Sequence, residues 1–443
     1  MVMLVIMVMG VAAILVRSMS STALQIKRDK ITADALVQAK EALIGYATSV
    51  NLFSGSARLG DLPCPDNHTP GGFGEGTPST PCDQQAQRLG RLPWKTLGLP
   101  DLRDGNGERL WYAVSNNFKN STRTTCTAPG QAGCLNSDTV GTITFHSSDS
   151  NIIYDATLGN GAAAVIIAPG EVLQRQDGLQ QDRSSSTNIN TASNYLDIAN
   201  GINNASFTDN TTNGFIQGRI KDNNGNLIVN DQLLVITQGN IMLLLQKRVA
   251  AEVRLCLEDY ASNNNGRYPW AAPLNDLGAY YHDINDQYFG RVPDYLDNTW
   301  SDSFTGFPSF TYTMDNHWGT CNTHTNNTPR TWWINWKEMV FYGVARSFRP
   351  NDTPSSSFPS TCATPGRCLN INDSSAPARF VVIVAGKKLD NPDQTQRNTN
   401  KTNAFYYLEG GNENADPNPP SNISNTFIQS TPSASFNDTL VYQ

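Results

Sequence analysis

The same short motifs occur in the same order in the two halves of this chain, at a separation of roughly 210 residues, and no other feature limits the fold as much. Ala42–Ala47 (ALIGYA) and Leu255–Ala261 (LCLEDYA) each close a helical stretch. Pro-rich sequence follows both, Leu62-Pro63-Cys64-Pro65 and Tyr268-Pro269-Trp270. Further on, Trp111-Tyr112-Ala113-Val114 answers to Phe341-Tyr342-Gly343-Val344, Cys134-Leu135-Asn136 to Cys368-Leu369-Asn370, and Val165–Ala168 to Val382–Ala385. Asn194-Tyr195-Leu196-Asp197 is paralleled by Tyr406-Tyr407-Leu408-Glu409, and Phe215-Ile216-Gln217 by Phe427-Ile428-Gln429. Last, Asn230–Val235 (NDQLLV) matches Asn437–Val441 (NDTLV). Each match alone is unspecific; their shared order points to two copies of one α+β unit, a helix followed by a Pro-rich loop and several strands. The WYAV and VIIA segments read as short apolar strands, and Phe380–Ala385 as the second copy's version of the latter. The expected division is an N-terminal helix over 1–50, a first head over 51–238 and a second head over 239–443.

Met1–Val16 is uncharged and apolar, a little short of the roughly 20 residues that span a bilayer. Helical sequence continues through Thr22–Tyr46, with Leu24, Ile31, Ala35, Leu36, Ala39, Leu43 and Ile44 at helical spacings. A membrane helix running into an amphipathic one is therefore expected. Arg17, Lys27, Arg28 and Lys30 follow the apolar run, which on the positive-inside rule would leave the heads in the cytoplasm. A short basic leader before Met1 would resolve that conflict. The second copy's helix, Ile241–Tyr260, carries Lys247, Arg248, Glu252 and Arg254 and should not span a membrane. Its buried stripe is expected at Leu243, Leu244, Val249, Val253 and Leu257.

The stretch Ala39–Ala47, then Leu62-Pro63-Cys64-Pro65-Asp66, Gly90–Pro100 (GRLPWKTLGLP) and Trp111–Val114 resembles the type IV pilin-like superfamily, that is, minor pilins and type II secretion pseudopilins. The resemblance covers about the first quarter of the chain. The family's leader, and the Glu near the start of its mature apolar segment, have no counterpart here. The resemblance implies an α+β fold with a long hydrophobic N-terminal helix and, given the repeat, two pilin-like units, each a helix on an antiparallel sheet. It also implies a non-enzymatic role as a minor subunit of a type IV pilus or type II secretion filament, at the tip or in priming. The expected partners are the bacterial inner membrane and other pilin or pseudopilin subunits, with the heads in the periplasm or on the cell surface. The alternative is a membrane-tethered periplasmic glycan-binding adhesin or hydrolase.

Composition narrows the chemistry. The net charge of −7 and the lack of a basic run argue against binding nucleic acid through phosphates. Eight cysteines in loop-rich sequence suit an oxidising compartment. Their places in the repeat favour local bridges, Cys126–Cys134 and Cys362–Cys368, which leaves Cys64 with Cys82 and Cys256 with Cys321. No nucleophile elbow, P-loop or dinucleotide fingerprint is present, so no catalytic residue, cofactor or metal is assigned. His317, Cys321 and His324 have zinc-compatible spacing, but Cys321 is wanted for a bridge. Asp101–Glu108 faintly resembles a calcium loop and reads better as a turn; Asp222–Asn226 reads as a hairpin turn. Trp332, Trp333 and Trp336 are either core or a contact surface for carbohydrate or protein, with core preferred because a strand-like FYGV follows.

Overall fold

The computed structural model of this 443-residue chain describes residues 2–52, 58–121, 126, 133–184, 189–264, 266–278, 280–284, 287–294, 324–325, 328–350, 362, 368–372, 374–390, 394–413 and 426–443, with side chains except at 2–21, 263 and 324–329. The fold is mixed α+β with antiparallel sheets. It divides into two compact units. The first comprises Met1–Ala47, Asp61–Arg123 and Val140–Gln238; the second comprises Thr48–Gly60, Thr124–Thr139 and Gly239–Gln443. The break after Gln238 falls where the repeat puts it. Two short segments belong instead to the second unit: 48–60, expected at the end of the N-terminal helix and the start of the first head, and 124–139, expected in the first head.

In the first unit, helix α1 (Val2–Thr48) precedes strands β1 (Leu89–Arg91), β2 (Trp111–Val114), β3 (Phe145–His146), β4 (Ile152–Tyr154) and β5 (Ala164–Ala168). Then come β6 (Ile198–Ala199), β7 (Ile202–Asn203), β8 (Phe215–Ile216), β9 (Ile220–Lys221), β10 (Leu227–Val229) and β11 (Gln232–Ile236). The main sheet has the order β1-β2-β5-β11, all antiparallel. In the second unit α2 (Gln238–Asn263) precedes β12 (Phe289–Arg291), β13 (His324–Thr325), β14 (Thr328–Pro329), α3 (Thr331–Trp336) and β15 (Val340–Val344). It ends with β16 (Asn370–Ile371), β17 (Phe380–Val384), β18 (Thr426–Phe427) and β19 (Thr439–Tyr442). Its main sheet, β12-β15-β17-β19, repeats the first in order and direction.

Register makes the equivalence residue by residue. Gly90 pairs with Tyr112 and Gly290 with Tyr342, so WYAV and FYGV occupy the same strand. Each tyrosine hydroxyl donates to a proline carbonyl of the loop after the helix: Tyr112 to Pro63 at 3.2 Å, Tyr342 to Pro269 at 3.0 Å. Both edge strands carry glycine in the middle for a steric reason. A Cβ on Gly90 would stand 2.2 Å from Asn67 Oδ1, and one on Gly290 would stand 1.9 Å from the Ala272 carbonyl. Two expected matches fail. Ala113 pairs with Val165 whereas Gly343 pairs with Val381, so Val165–Ala168 corresponds to Val381–Val384, one residue before the expected Val382–Ala385. The second mismatch concerns Cys134-Leu135-Asn136. Leu369 exchanges backbone bonds with Ala378 as Ile143 does with Ala162, so Leu369 is the counterpart of Ile143 and not of Leu135. Leu135 lies in the second unit, where its N–H donates to Asn335 Oδ1 at 2.6 Å.

The helices bury matching stripes. On α1 these are Thr32, Ala35, Leu36, Ala39, Leu43 and Ala47; on α2 they are Gln246, Val249, Ala250, Val253, Leu257 and Ala261, the same spacings. Each helix also bonds to the last strand of its sheet: Lys40 Nζ donates to the Val235 carbonyl at 3.0 Å, and Thr439 Oγ1 donates to Gln246 Oε1 at 3.0 Å. Fully burying one leucine of such a stripe contributes about 1.5–3 kcal/mol. The α2 stripe continues through Ile241, Met242 and Leu245, not through the expected Leu243 and Leu244, since Leu244 is 45% exposed. On α1, by contrast, Leu24 and Ile31 are exposed despite their helical spacing. Among the described residues no helix is long and apolar enough to cross a membrane, and the side chains of the expected anchor, Met1–Val16, lie outside the described ones.

Candidate functional site

The most elaborate polar cluster in each unit surrounds a buried pair of carboxyl groups, and the two clusters are copies. In the first unit Asp197 precedes β6 and Asp231 immediately precedes β11. Asp231 Oδ2 accepts from the Asp197 N–H and from Asn204 Nδ2, both at 2.8 Å. Asp197 in turn accepts from the Asn230 N–H at 2.7 Å and from Gln181 Nε2 at 2.8 Å. Glu409 and Asp438 repeat this in the second unit. Asp438 Oδ2 accepts from the Glu409 N–H and from Asn412 Nδ2, both at 3.0 Å, while Glu409 accepts from the Asn437 N–H at 2.9 Å and from Gln394 Nε2 at 2.7 Å. An arginine closes each cluster. Arg183 donates to Gln181 Oε1 and to the carbonyls of Gly170, Asn194 and Tyr195; Arg397 donates to Gln394 Oε1 and to those of Gly386, Tyr406 and Tyr407.

Burial sets the protonation of these pairs. It raises Asp197 to about 6, and it raises Asp231 well above the ordinary carboxyl range, with the Asp197 charge adding to the effect. Asp438 is raised well above that range by burial and by Glu409. Asp231 Oδ1 and Asp438 Oδ1 are both buried without a hydrogen-bond partner. Two enclosed acidic pairs with matching bonds act as joints: each ties the residues that lead into β11 or β19 to an earlier segment of the unit, at Asp197 before β6 and at Glu409 before β18.

The units differ beside the first arginine of the main sheet. In the second unit Arg291 donates to the carbonyls of Glu338 and Lys401 and lies 4.0 Å from the Phe341 ring and 4.5 Å from that of Tyr407. Tyr407 donates to Glu338 Oε1 at 2.6 Å, so the space is filled. In the first unit the counterparts are Arg91, Trp111 and Tyr195, with Arg91 5.9 Å from both rings. There a cleft of about 490 Å³ opens, lined by Glu75, Arg91, Glu108, Arg109, Trp111 and Tyr195 among others. Arg91 Nη1 and Trp111 Nε1 are buried and have no hydrogen-bond partner.

The residues singled out from sequence fall elsewhere. Trp332, Trp333 and Trp336 are all 0% exposed, so they form core and not a contact surface. Their burial has a polar purpose as well: Trp333 Nε1 donates to Asp294 Oδ2 at 2.8 Å, beside the buried Lys337–Asp294 ion pair at 2.7 Å. The bridges Cys64–Cys82, Cys126–Cys134 and Cys362–Cys368 are formed. Cys256 is also disulfide-bonded; Cys321 lies outside the described residues, as do His317 and the side chain of His324. Asp104 Oδ1 accepts from the N–H groups of Asn106 and Glu108, and Asp101 pairs with Arg103 and Arg109, which makes that stretch a closed turn and not a calcium loop. Asp222 Oδ1 likewise accepts from the Asn224 and Asn226 N–H groups at the β9–β10 hairpin turn. Among the described residues no group of His, Cys, Asp and Glu is arranged to hold a metal. No family model, curated protein or solved structure matches the chain.

Proposed function

We propose that this chain is a non-enzymatic, membrane-anchored subunit of a filament of the type IV pilus or type II secretion kind, with two pilin-like heads outside the cytoplasm. One observation carries the reading: α1 runs for 47 residues, yet the described part N-terminal to its buried stripe turns apolar side chains to solvent. Leu24 is 59%, Ile26 64% and Ile31 42% exposed. The second copy's helix has 26 residues, and its stripe is buried from Ile241 onward. A filament built on packed N-terminal helices supplies apolar partners for such a face. The twin acidic joints suit heads that bear load and need no chemistry. The test is photo-crosslinking in the native host from probes at Leu24 and Ile26, together with a carbonate wash of membranes. The expected products join this chain to another helix-bearing filament subunit, with the protein retained in the washed membrane. Release into the wash without crosslinks would refute the proposal.

A further inference from the structure

The cleft of the first unit has no use in a filament contact through α1, and its chemistry specifies a ligand of its own. We propose that it binds a carboxylate-bearing saccharide, such as a uronic acid residue, with the carboxylate on Arg91 and the hydroxyls shared between Glu75, Glu108 and Trp111 Nε1. This does not depend on the filament reading.

Arg91 is the starting point. It is 5% exposed and its Nη1 has no acceptor; its side chain bonds that of Tyr195, and the Asp66 and Glu75 charges act on it without an ion pair among the described residues. A buried guanidinium with an unmet donor is costly, and the cost is removed by an anion that accepts from it. The second unit shows what the same position looks like when it is structural, because Arg291 has the Glu338 and Lys401 carbonyls as acceptors and two rings packed against it. The first unit keeps the arginine and the tyrosine, replaces Phe341 by Trp111 with a free N–H, and leaves the space open.

The rest of the lining selects among anions. Glu75 and Glu108 are held in place by Arg109 and Arg183. A carboxylate accepts several hydrogen bonds, so both retain capacity toward a ligand hydroxyl. Two fixed carboxylates repel a small bare anion such as phosphate but suit an anion whose body carries hydroxyl donors. The volume of about 490 Å³ lies within the range of small-ligand pockets and accommodates one or two sugar rings.

The experiment is calorimetric titration of the full chain with methyl β-D-glucuronide, methyl β-D-glucoside and acetate, each on the parent and on Arg91→Gln, Glu108→Gln and Trp111→Phe. The last variant installs the second copy's residue and is expected to fold even if Arg91→Gln does not; melting curves report folding for each. The expected result is glucuronide binding that weakens at least tenfold in Arg91→Gln and severalfold in Trp111→Phe and Glu108→Gln, with glucoside and acetate at least tenfold weaker on the parent. The inference is overturned if the glucuronide does not bind. It is also overturned if folded Trp111→Phe and Glu108→Gln bind the glucuronide like the parent. Acetate binding as tightly as the glucuronide would mean a simple anion site, which overturns it too.

Discussion

In the second unit the arginine of the edge strand is enclosed by Phe341, Tyr407 and two carbonyls; in the first, Arg91 borders a cleft. Around this difference the two units agree closely, from strand register to the unpartnered oxygens of Asp231 and Asp438. The agreement identifies which polar groups the fold itself requires. Buried polar groups must be satisfied or neutralised wherever the backbone runs the same way, so both copies keep a carboxyl pair, a glutamine, an asparagine and an arginine at the joint. The arginine of the edge strand is present in both copies but satisfied in only one, and that asymmetry separates a structural group from one free to meet a ligand.

The largest expected effect breaks a feature the first unit does not share. Asp294 is the acceptor for both Lys337 Nζ and Trp333 Nε1, and all three side chains are buried. Burial lowers the Lys337 pKa, against the pull of Asp294. Asp294→Ala removes the carboxylate paired with that buried lysine and should destabilise the second unit by about 3–5 kcal/mol. Denaturant unfolding monitored by hydrogen exchange of β15 amides gives the value. Adding Lys337→Met should recover much of the loss.

A smaller effect sharpens the joint. Asp197 has its folded pKa raised to about 6, above the ordinary value of about 3.9. The stability it contributes is therefore fully present below about pH 4 and is lost as pH rises through about 6, with a slope of at most about 1.4 kcal/mol per pH unit for one extra proton. Protection of the β11 amides should begin to fall above about pH 4, and the share due to Asp197 should be lost by about pH 7. Asp197→Asn removes the group that titrates near 6, so the fall on that variant should be shallower than the parent's. A pH dependence as steep as the parent's would show that Asp197 is not a titrating element of the joint.

The smallest effect concerns α1. Leu24→Ser and Ile26→Ser alter side chains that are mostly exposed and should change stability by less than about 0.5 kcal/mol in thermal melts. If they destabilise as much as a core change, that face is covered within the chain and the filament proposal loses its motive.

Much of the scaffold was legible in the sequence. Helical spacing placed Ala35, Leu36, Ala39 and Leu43 on the buried face, and the ordered motifs put WYAV and FYGV on one strand. The one-residue slip at Val165 has a physical origin. All five residues of β5 and of β17 are buried, so the strands carry no polar alternation from which to read a face. Leu24 and Ile31 were placed in the stripe because spacing records a helical face without saying where packing against it stops. The Cys134-Leu135-Asn136 match was a chance triplet, as its segment packs in the other unit. The joint was only half visible. The Asn-Asp pairs before β11 and β19 were seen, but Gln181 and Arg183 are two residues apart where Gln394 and Arg397 are three, so no fixed period reveals them. The cleft left no sequence signal, because it depends on the space beside Arg91 and not on any motif.

The central claim is that one structural unit occurs twice, joined in each copy by the same carboxyl pair. Matched variants Asp231→Ala and Asp438→Ala, compared by hydrogen exchange with peptide resolution, test it most directly. Each removes the acceptor for a backbone N–H and for an asparagine Nδ2. The account predicts that Asp231→Ala exposes β11 and Asp438→Ala exposes β19, by amounts that agree within about 1 kcal/mol and in the range of about 1–3 kcal/mol expected for unmet buried groups. If one variant loosens its strand and the other leaves its strand unchanged, the two joints are not equivalent and the account is wrong.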